Sequence, residues 1–430
     1  MGAAYNRASV RRVIKFGGTS IATPELIARA ARAIAERIAR GDQVAVVVSA
    51  MGDETDRLIR ALEEVGGEVP VPASYEVVLS GEERSVRLMV AALRAQGVRA
   101  EGFSPTLSSR WPLVVAQVEE VPLTAEKVNQ EVEFVLDREE SRRRALEHLL
   151  PLMRAGGVPV ITGWFVLDRA GRLFTLGRGG SDISAVLVAR LVEAGEVVMV
   201  TDAAGIMTGD PRKIEGARTI EELSSEEVRV IVGSGARVIH PKALALAPSQ
   251  LQVRVVDYRE LSRMLEGGTR ISPAGEEEVV WVDSRRLSMV TVVGEGLSDR
   301  AGVLAHLARK LAEEGISICY ASVSDSFINL YLEEGAKGEA LSLIHSLITT
   351  GGLGLTSVSE RSPVGHIRLR SSDFIEQPGI LAEVSSCLAN RRINILEVIT
   401  ALTDIHLFVS LSDLSDSAEL LQSLFVASPG

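Results

Sequence analysis

Three glycine-bearing turns each place a charged side chain beside backbone N–H groups that can meet an anion. The first is Lys15-Phe16-Gly17-Gly18-Thr19-Ser20, between an apolar run at Val13–Phe16 and a helical pattern opened by Pro24. Without Cβ atoms, Gly17 and Gly18 let the backbone approach an anion closely, and Lys15 can reach the same anion as a point charge. An ordinary strand–turn–helix corner has the same composition, and the spacing is not that of a Walker A loop. The second turn, Leu176–Asp182 (LGRGGSD), gathers Gly177, Gly179, Gly180, Arg178 and Asp182 before a helical pattern from Ile183. That set suits a phosphate or oxyanion, with the acid orienting a lysine or a metal. Each glycine loses extra backbone entropy on folding, so a purely structural turn has little reason to carry three. The third turn, Thr201–Arg212, follows the apolar run Glu196–Thr201. Open α/β sheets bind ligands at the carboxyl ends of such strands. Asp202 suits a ribose hydroxyl or base edge and Arg212 a phosphate, although a surface turn has the same composition. Together the turns point to nucleotide-dependent phosphoryl transfer.

The elements that must position these turns alternate in type. Gln43–Ser49 and Val158–Thr162 are continuous apolar runs, and helical patterns occupy Pro24–Arg40 and Ser184–Ala194. This alternation predicts an α/β domain with a mostly parallel sheet covered on both faces. Asp137–His148 reads as a solvated helix face whose apolar continuation, Leu149–Met153, docks on the sheet. Ser272–Glu278 (SPAGEEE) reads as a linker. Beyond it lies an internal repeat: Arg300–Ile318 and Gln377–Ile395 align, with Gly302 over Gly379 and Leu304-Ala305 over Leu381-Ala382. Each copy is a glycine-started amphipathic helix followed by strands, at Phe327–Leu332 and His406–Leu411, so two small βαββ-type units are expected.

Composition narrows the function classes. The chain has 430 residues, with 46 Lys+Arg against 57 Asp+Glu, a net charge of −11. That length predicts two or three domains, and the acidic excess argues against broad nucleic-acid binding. Two cysteines, Cys319 and Cys387, cannot build a disulfide framework, fit a reducing compartment and read as buried small hydrophobes. The start MGAAYNRASVRR lacks the apolar core of a signal peptide, and Val44–Met51 is too short to span a bilayer. A cytoplasmic protein with no membrane anchor is expected.

KFGGTS, GRGGSD and TDAAGIMTGDPR, in this order, resemble the amino acid kinase family and within it the aspartate kinases; VVVSAMGDET at Val46–Thr55 and GARVIHP at Gly235–Pro241 do so too. The two repeat copies resemble ACT modules. The resemblance implies an amino acid kinase-like sandwich over 1–271 and two ferredoxin-like (βαββαβ) ACT modules over 279–430. The first would span about 285–360, the second about 361–430 plus the strand near 278–284. It implies ATP-dependent phosphorylation of the L-aspartate side chain, at the head of lysine, threonine and methionine synthesis. Lys15 would contact the transferring phosphate, Gly17 and Gly18 would donate N–H groups beside it, and Asp182 would hold Lys15. Arg178 would pair with the amino acid's carboxylate and Glu82 with its ammonium, with Ser49, Thr55 and Ser181 also on the substrate. Thr201, Asp202, Asp210, Arg212 and Arg237 would line the ATP site, and His240 would pack. Mg²⁺ would accompany ATP, held mainly by phosphate oxygens and water. No metal-binding side chains are expected.

Three departures from the family pattern stand out. Gly163-Trp164-Phe165-Val166 puts Trp164 where a substrate-side Phe is usual, Met207 stands where a Tyr near the nucleotide is common, and Ser104–Leu123 lacks the family's Thr-Asp run. These motivate a rival acceptor, another carboxylate, while a catalytically silent ACT amino-acid sensor is a rival of a different class. The regulatory half implies a lysine or threonine effector at Ser298, Asp299, Gly302 and Asn394, and a homodimer or higher homo-oligomer paired through the ACT modules.

Overall fold

The continuous apolar runs form the middle of one sheet. The computed structural model describes residues 10–65, 69–128, 130–234, 239–248, 250–272, 279–351, 353–370, 379–401 and 404–426. The chain divides into two compact units, Met1–Glu276 and Glu277–Gly430. Strands of the first are β1 (Arg11–Phe16), β2 (Gln43–Val48), β3 (Ala100–Phe103), β4 (Val114–Val118), β5 (Phe134–Leu136), β6 (Val158–Thr162), β7 (Phe165–Asp168), β8 (Leu173–Thr175), β9 (Glu196–Thr201), β10 (Glu222–Ser224), β11 (Gln252–Asp257) and β12 (Thr269–Ser272). Its helices are α1 (Pro24–Ala39), α2 (Glu54–Val65), α3 (Val71–Ala95), α4 (Arg138–Arg144), α5 (Leu150–Arg154), α6 (Gly180–Leu191), α7 (Ser225–Gly233) and α8 (Pro241–Ala245).

Eight strands join in the order β10-β12-β11-β9-β1-β2-β6-β3, and every pairing except β11 with β12 is parallel. A second, four-stranded sheet has the order β5-β4-β7-β8. Strand alternation divides the core in two. Val13, Ala45, Val47, Val197 and Met199 pack with α6, whereas Ile14, Phe16, Val44, Val46 and Val198 pack with α1 and with Val86, Met89 and Leu93 of α3. Because both faces are covered, the central strands carry no polar alternation. Thr23 starts α1, its hydroxyl accepting the Leu26 N–H at 3.3 Å with Pro24 in the first turn.

One local reading needs correction. Helix α6 begins at Gly180 rather than Ile183, because Gly179 takes a left-handed φ of +68° and turns the chain into the helix. Ser181 and Asp182 therefore sit in its first turn. The charged run is helical as expected: α4 passes through a π turn, Ala145–Leu149, into α5 without leaving helical backbone, and Leu149, Leu150 and Met153 are buried. Ser80-Gly81-Glu82 lies inside the 25-residue α3. Gly81 is there for close approach, since a Cβ would meet Leu58 Cδ1 of α2 at 3.0 Å.

The second unit contains β13 (Val280–Val282), β14 (Leu287–Gly294), α9 (Val303–Glu313), β15 (Tyr320–Val323), β16 (Phe327–Glu333), α10 (Lys337–Thr350), β17 (Leu355–Arg370), α11 (Ile380–Asn390), β18 (Ile395–Ala401), β19 (Asp404–Ser410) and α12 (Leu414–Val426). Its sheet is antiparallel, in the order β15-β16-β14-β17-β19-β18, with β13 also on β17. β14-α9-β15-β16-α10-β17 is one βαββαβ module. The second half of β17 opens another, with α11, β18, β19 and α12, and β13 supplies its remaining strand. Each module has its own core. The aligned glycines act alike, since Gly302 and Gly379 both cap a helix with a left-handed φ, +92° and +102°. In the first copy the strand begins at Tyr320, and Ile316 is buried before it. The cysteines are half-buried rather than buried, and Arg285 Nη1 donates to Cys319 Sγ at 3.5 Å. Most of the linker, residues 273–278, lies outside the described residues, as does Gln377. Among the described residues no helix is long and apolar enough to cross a membrane.

Candidate active site

The carboxyl ends of β1, β2 and β6 and the first turn of α6 meet around a cavity of about 280 Å³. Lys15 shares the strand face of Val13, the face on which α6 packs. Its Nζ lies 2.7 Å from Asp182 Oδ1, and both side chains are largely covered. Gly17 follows with its N–H donating to Val200 O at 3.2 Å. In this structure parallel pairing with β9 occupies that amide, and a Cβ on Gly17 would lie 3.5 Å from Lys15 Nζ, an ordinary contact distance. At Gly18 a Cβ would stand 2.7 Å from Ala50 O, so only glycine fits between the two strand ends.

Ser49 continues β2, and its Oγ donates to Ser181 Oγ at 3.0 Å. Trp164, just past β6, is a non-glycine residue with a φ of +68°. Its N–H donates to Ser184 Oγ at 3.0 Å and its carbonyl accepts the Leu176 N–H at 2.7 Å. Those two bonds hold a conformation that costs of order 1–3 kcal/mol, the kind of strain that clusters at ligand sites. Thr55 reaches the cavity from the first turn of α2 and Arg178 from the glycine turn, with the Arg178 N–H donating to Gln130 O at 2.9 Å.

Glu82 is the most unusual wall residue. It is 2 % exposed in the middle of α3, and burial pushes its carboxyl up to about 8, against the pull of the Ala50 and Gly163 N–H groups and the Lys15 ammonium. Its Oε2 has no hydrogen-bond partner. A buried carboxyl oxygen left unsatisfied in a cavity wall is a place for a ligand's donor.

Lys15, Gly17, Gly18, Asp182, Ser49, Thr55, Glu82, Trp164, Arg178 and Ser181, expected from the sequence as catalytic or substrate-side, all line this one cavity. The nucleotide-side residues do not. Thr201 ends β9, the strand beside β1, and Asp202, Met207, Asp210 and Arg212 follow it. There Thr201 Oγ1 accepts the Ala203 N–H at 3.0 Å, Asp202 O accepts from Arg259, and Met207 bridges to Thr219. Arg212 pairs with Asp210 at 3.1 Å and holds that carboxyl below its ordinary value. Arg237 lies outside the described residues. In the second unit Ser298 donates to Asp325 at 3.2 Å beside Gly302, and Asp299 and Asn394 are exposed. Sequence reasoning missed Asp56 and Val128 on the cavity wall. Asp56 is the first residue past the Val46–Thr55 motif, and Val128 sits in a stretch with no periodic pattern. Among the described residues no group of three or more His, Cys, Asp or Glu is placed to hold a metal ion.

A model of the amino acid kinase family matches residues 10–257, and an ACT domain model matches residues 284–346. The first match covers more than half of the chain, and the chain belongs to the amino acid kinase family. Its relatives within that family are aspartokinases. It is 30% identical over 314 residues to the aspartokinase of Thermus thermophilus, covering 71% of this chain and 70% of that one. It is 26% identical over 424 residues to aspartokinase 2 of Bacillus subtilis strain 168, covering 96% and 97%. Among solved structures, aspartate kinase from Synechocystis shares the fold with a TM-score of 0.78 at 23% identity, over 97% of this chain and 70% of that one. E. coli aspartokinase III, solved with aspartate and ADP, gives 0.51 at 22% identity, over 96% and 99%.

Proposed function

We propose that this chain is an ATP-dependent aspartate kinase, transferring the γ-phosphoryl group to the side-chain carboxylate of L-aspartate and forming 4-phospho-L-aspartate. The observation that carries the acceptor assignment is Glu82, a buried carboxyl with an unpartnered oxygen in the cavity that also holds Lys15 and Arg178. An α-amino acid brings an ammonium for Glu82 and a carboxylate for the Arg178 guanidinium, leaving its side-chain carboxylate to face Lys15. One carboxylate oxygen forms a bond to the γ-phosphorus as the bond to the bridging oxygen breaks, and ADP leaves. A carboxylate is already ionised near neutral pH, so no general base is needed. Catalysis is then positioning and charge stabilisation, with Lys15 held by Asp182 beside the phosphoryl oxygens. ATP would lie toward Thr201–Arg212, and its Mg²⁺ would be carried by phosphate oxygens and water and offset their charge.

The same reading takes residues through 271 as the catalytic domain and 279–430 as two ACT modules that pair between chains. E. coli aspartokinase III has been solved with lysine and aspartate in a T-state. Lysine or threonine is accordingly the effector class to titrate here, at Ser298–Gly302 and Asn394. A cytoplasmic setting fits two unpaired thiols.

The test is ATP- and Mg²⁺-dependent acyl phosphate formation, trapped with hydroxylamine, with aspartate, glutamate and N-acetylglutamate offered separately. Product with aspartate alone is expected. Product only with another acceptor would redirect the substrate assignment to Trp164, and none with any acceptor would favour an amino-acid sensor.

A further inference from the structure

The segment joining β4 to β5 is anchored where Val121 exchanges hydrogen bonds with Tyr75 and where Val132 is buried, and between them it runs along the cavity as a strap. Val128 forms part of the cavity wall. Gln130 O accepts the Arg178 N–H at 2.9 Å, and Glu131 bridges to Gly177. Gly177 is left-handed, and a Cβ on it would lie 2.5 Å from Gln130 O, so the turn leaves room for the strap. Lys242 Nζ donates to Val132 O at 2.9 Å and to Glu133 at 2.8 Å. A further tie is His240 Nε2–H, which donates to Glu131 Oε1 at 2.8 Å.

His240 touches the reaction centre twice more. Its ring fills the space where Gly179 would carry a side chain, so that an added Cβ would overlap His240 Cγ. Its backbone N–H donates to Asp182 Oδ2 at 3.1 Å, while Asp182 Oδ1 holds Lys15 at 2.7 Å. One residue therefore joins the strap, the glycine turn and the Asp182–Lys15 pair. Pro241 follows as the first residue of α8, which restricts the backbone that presents it.

We propose that Glu131 and His240 are positioning residues: their side-chain bond latches the strap onto the Gly177–Gly180 turn and sets Arg178 for the acceptor. The inference rests on the reading of Arg178 as the acceptor's carboxylate partner. It goes beyond packing for a physical reason. Val128 packs against the core on one side and Val132 is buried on the other, but Gln130 is exposed and Glu131 half-exposed, so the stretch between them that meets the glycine turn is held by polar bonds. A charge-assisted bond to a carboxylate, about twice as strong as a neutral one, then decides how much of the time the strap is seated. If the strap lifts, Arg178 loses the carbonyl that fixes its backbone, while Asp182 keeps the His240 amide and Lys15 keeps Asp182. The latch thus acts on acceptor binding more than on phosphoryl transfer.

The experiment compares wild type with Glu131→Gln, which keeps shape and removes the charge. Acceptor KM is expected to rise about tenfold while kcat falls less than about threefold and the KM for ATP holds. An independent readout needs no turnover: trypsin cleavage after Lys127, an exposed strap residue, should quicken by about tenfold in the variant, because local opening sets its rate. Wild-type acceptor KM and wild-type cleavage in Glu131→Gln would overturn the latch, and a lowered melting temperature with both readouts unchanged would return the pair to packing. If wild type makes no hydroxamate with aspartate, the proposed function fails instead, and the cleavage comparison still decides the latch.

Discussion

At the scale of single residues the site is a set of compensated charges with one exception. Lys15 and Asp182 neutralise each other at 2.7 Å, so the pair is stable before any ligand binds. Lys15→Ala removes the cation that meets the transferring phosphoryl group. Turnover in the hydroxamate assay should fall by at least about 10³-fold, with an unchanged far-ultraviolet circular dichroism spectrum. Near-normal turnover would remove Lys15 from the mechanism. The exception is Glu82, whose carboxyl burial raises from 4.5 to about 8. The folded chain then holds a proton in that window which the unfolded chain releases, so stability falls as pH rises from 4.5 to about 8. Glu82→Gln cannot ionise. Its melting temperature should match wild type at acid pH and exceed it above about pH 8. The same variant offers no charge to an ammonium, and its acceptor KM should rise by roughly 10–100-fold. In wild type, acceptor binding below that pH should release a proton, seen by calorimetry in buffers of different ionisation enthalpy.

At the scale of elements the parallel sheet separates stability from chemistry. Chemistry gathers at the carboxyl ends of β1, β2 and β6. A buried ion network ties the amino ends together: Arg12 and Arg254 share Glu196 at 2.8 and 2.9 Å, and Arg12 and Arg37 share Asp42. Glu196→Ala would take from Arg254 its carboxylate and leave Arg12 with Asp42 alone, both guanidinium groups being about 12 % exposed. Stability to urea should drop by about 3–5 kcal/mol. Both kinetic constants should stay at wild-type values wherever the variant is folded. A change in KM of the folded enzyme would refute the separation. β6 and β9 were legible residue for residue, since buried apolar runs end where the chain turns. Gly81 and Gly179 were not, because a glycine that permits close packing looks like one that breaks a helix.

At the scale of the molecule, the two βαββαβ modules share one strand and bury polar groups between them. Tyr331 of the first stacks on Phe408 of the second, with ring centroids 3.8 Å apart. Glu397 on β18 accepts from Tyr331 at 2.5 Å, from Asn329 at 3.1 Å and from Ser322. Burial first, and then the Glu397 bond, raise the Tyr331 hydroxyl's pKa, so it stays a donor. Glu397→Ala would leave three donors from the other module unmatched. We expect about 2–4 kcal/mol lost from the unit spanning Glu277–Gly430. By scanning calorimetry the transition of that unit should move down, and an unchanged transition would contradict this role of Glu397.

The chain itself determined what depends on near neighbours: the three glycine turns, the apolar runs of a covered sheet, and the repeat whose aligned Gly302 and Gly379 cap equivalent helices. Those signals lie within a few residues because backbone conformation and strand burial are local demands. Only tertiary structure decided which side chains share a cavity. The sequence marks Glu82 only through the family resemblance, and it is α3 that carries it past Ala50 and Gly163, where burial raises its proton affinity. Gly17 reads as an anion donor, and in this structure β9 occupies its amide. Glu131 and His240 are 109 residues apart, and no pattern in either segment announces the other. Their meeting comes from chain closure, and contacts made across such distances leave no periodic trace in sequence.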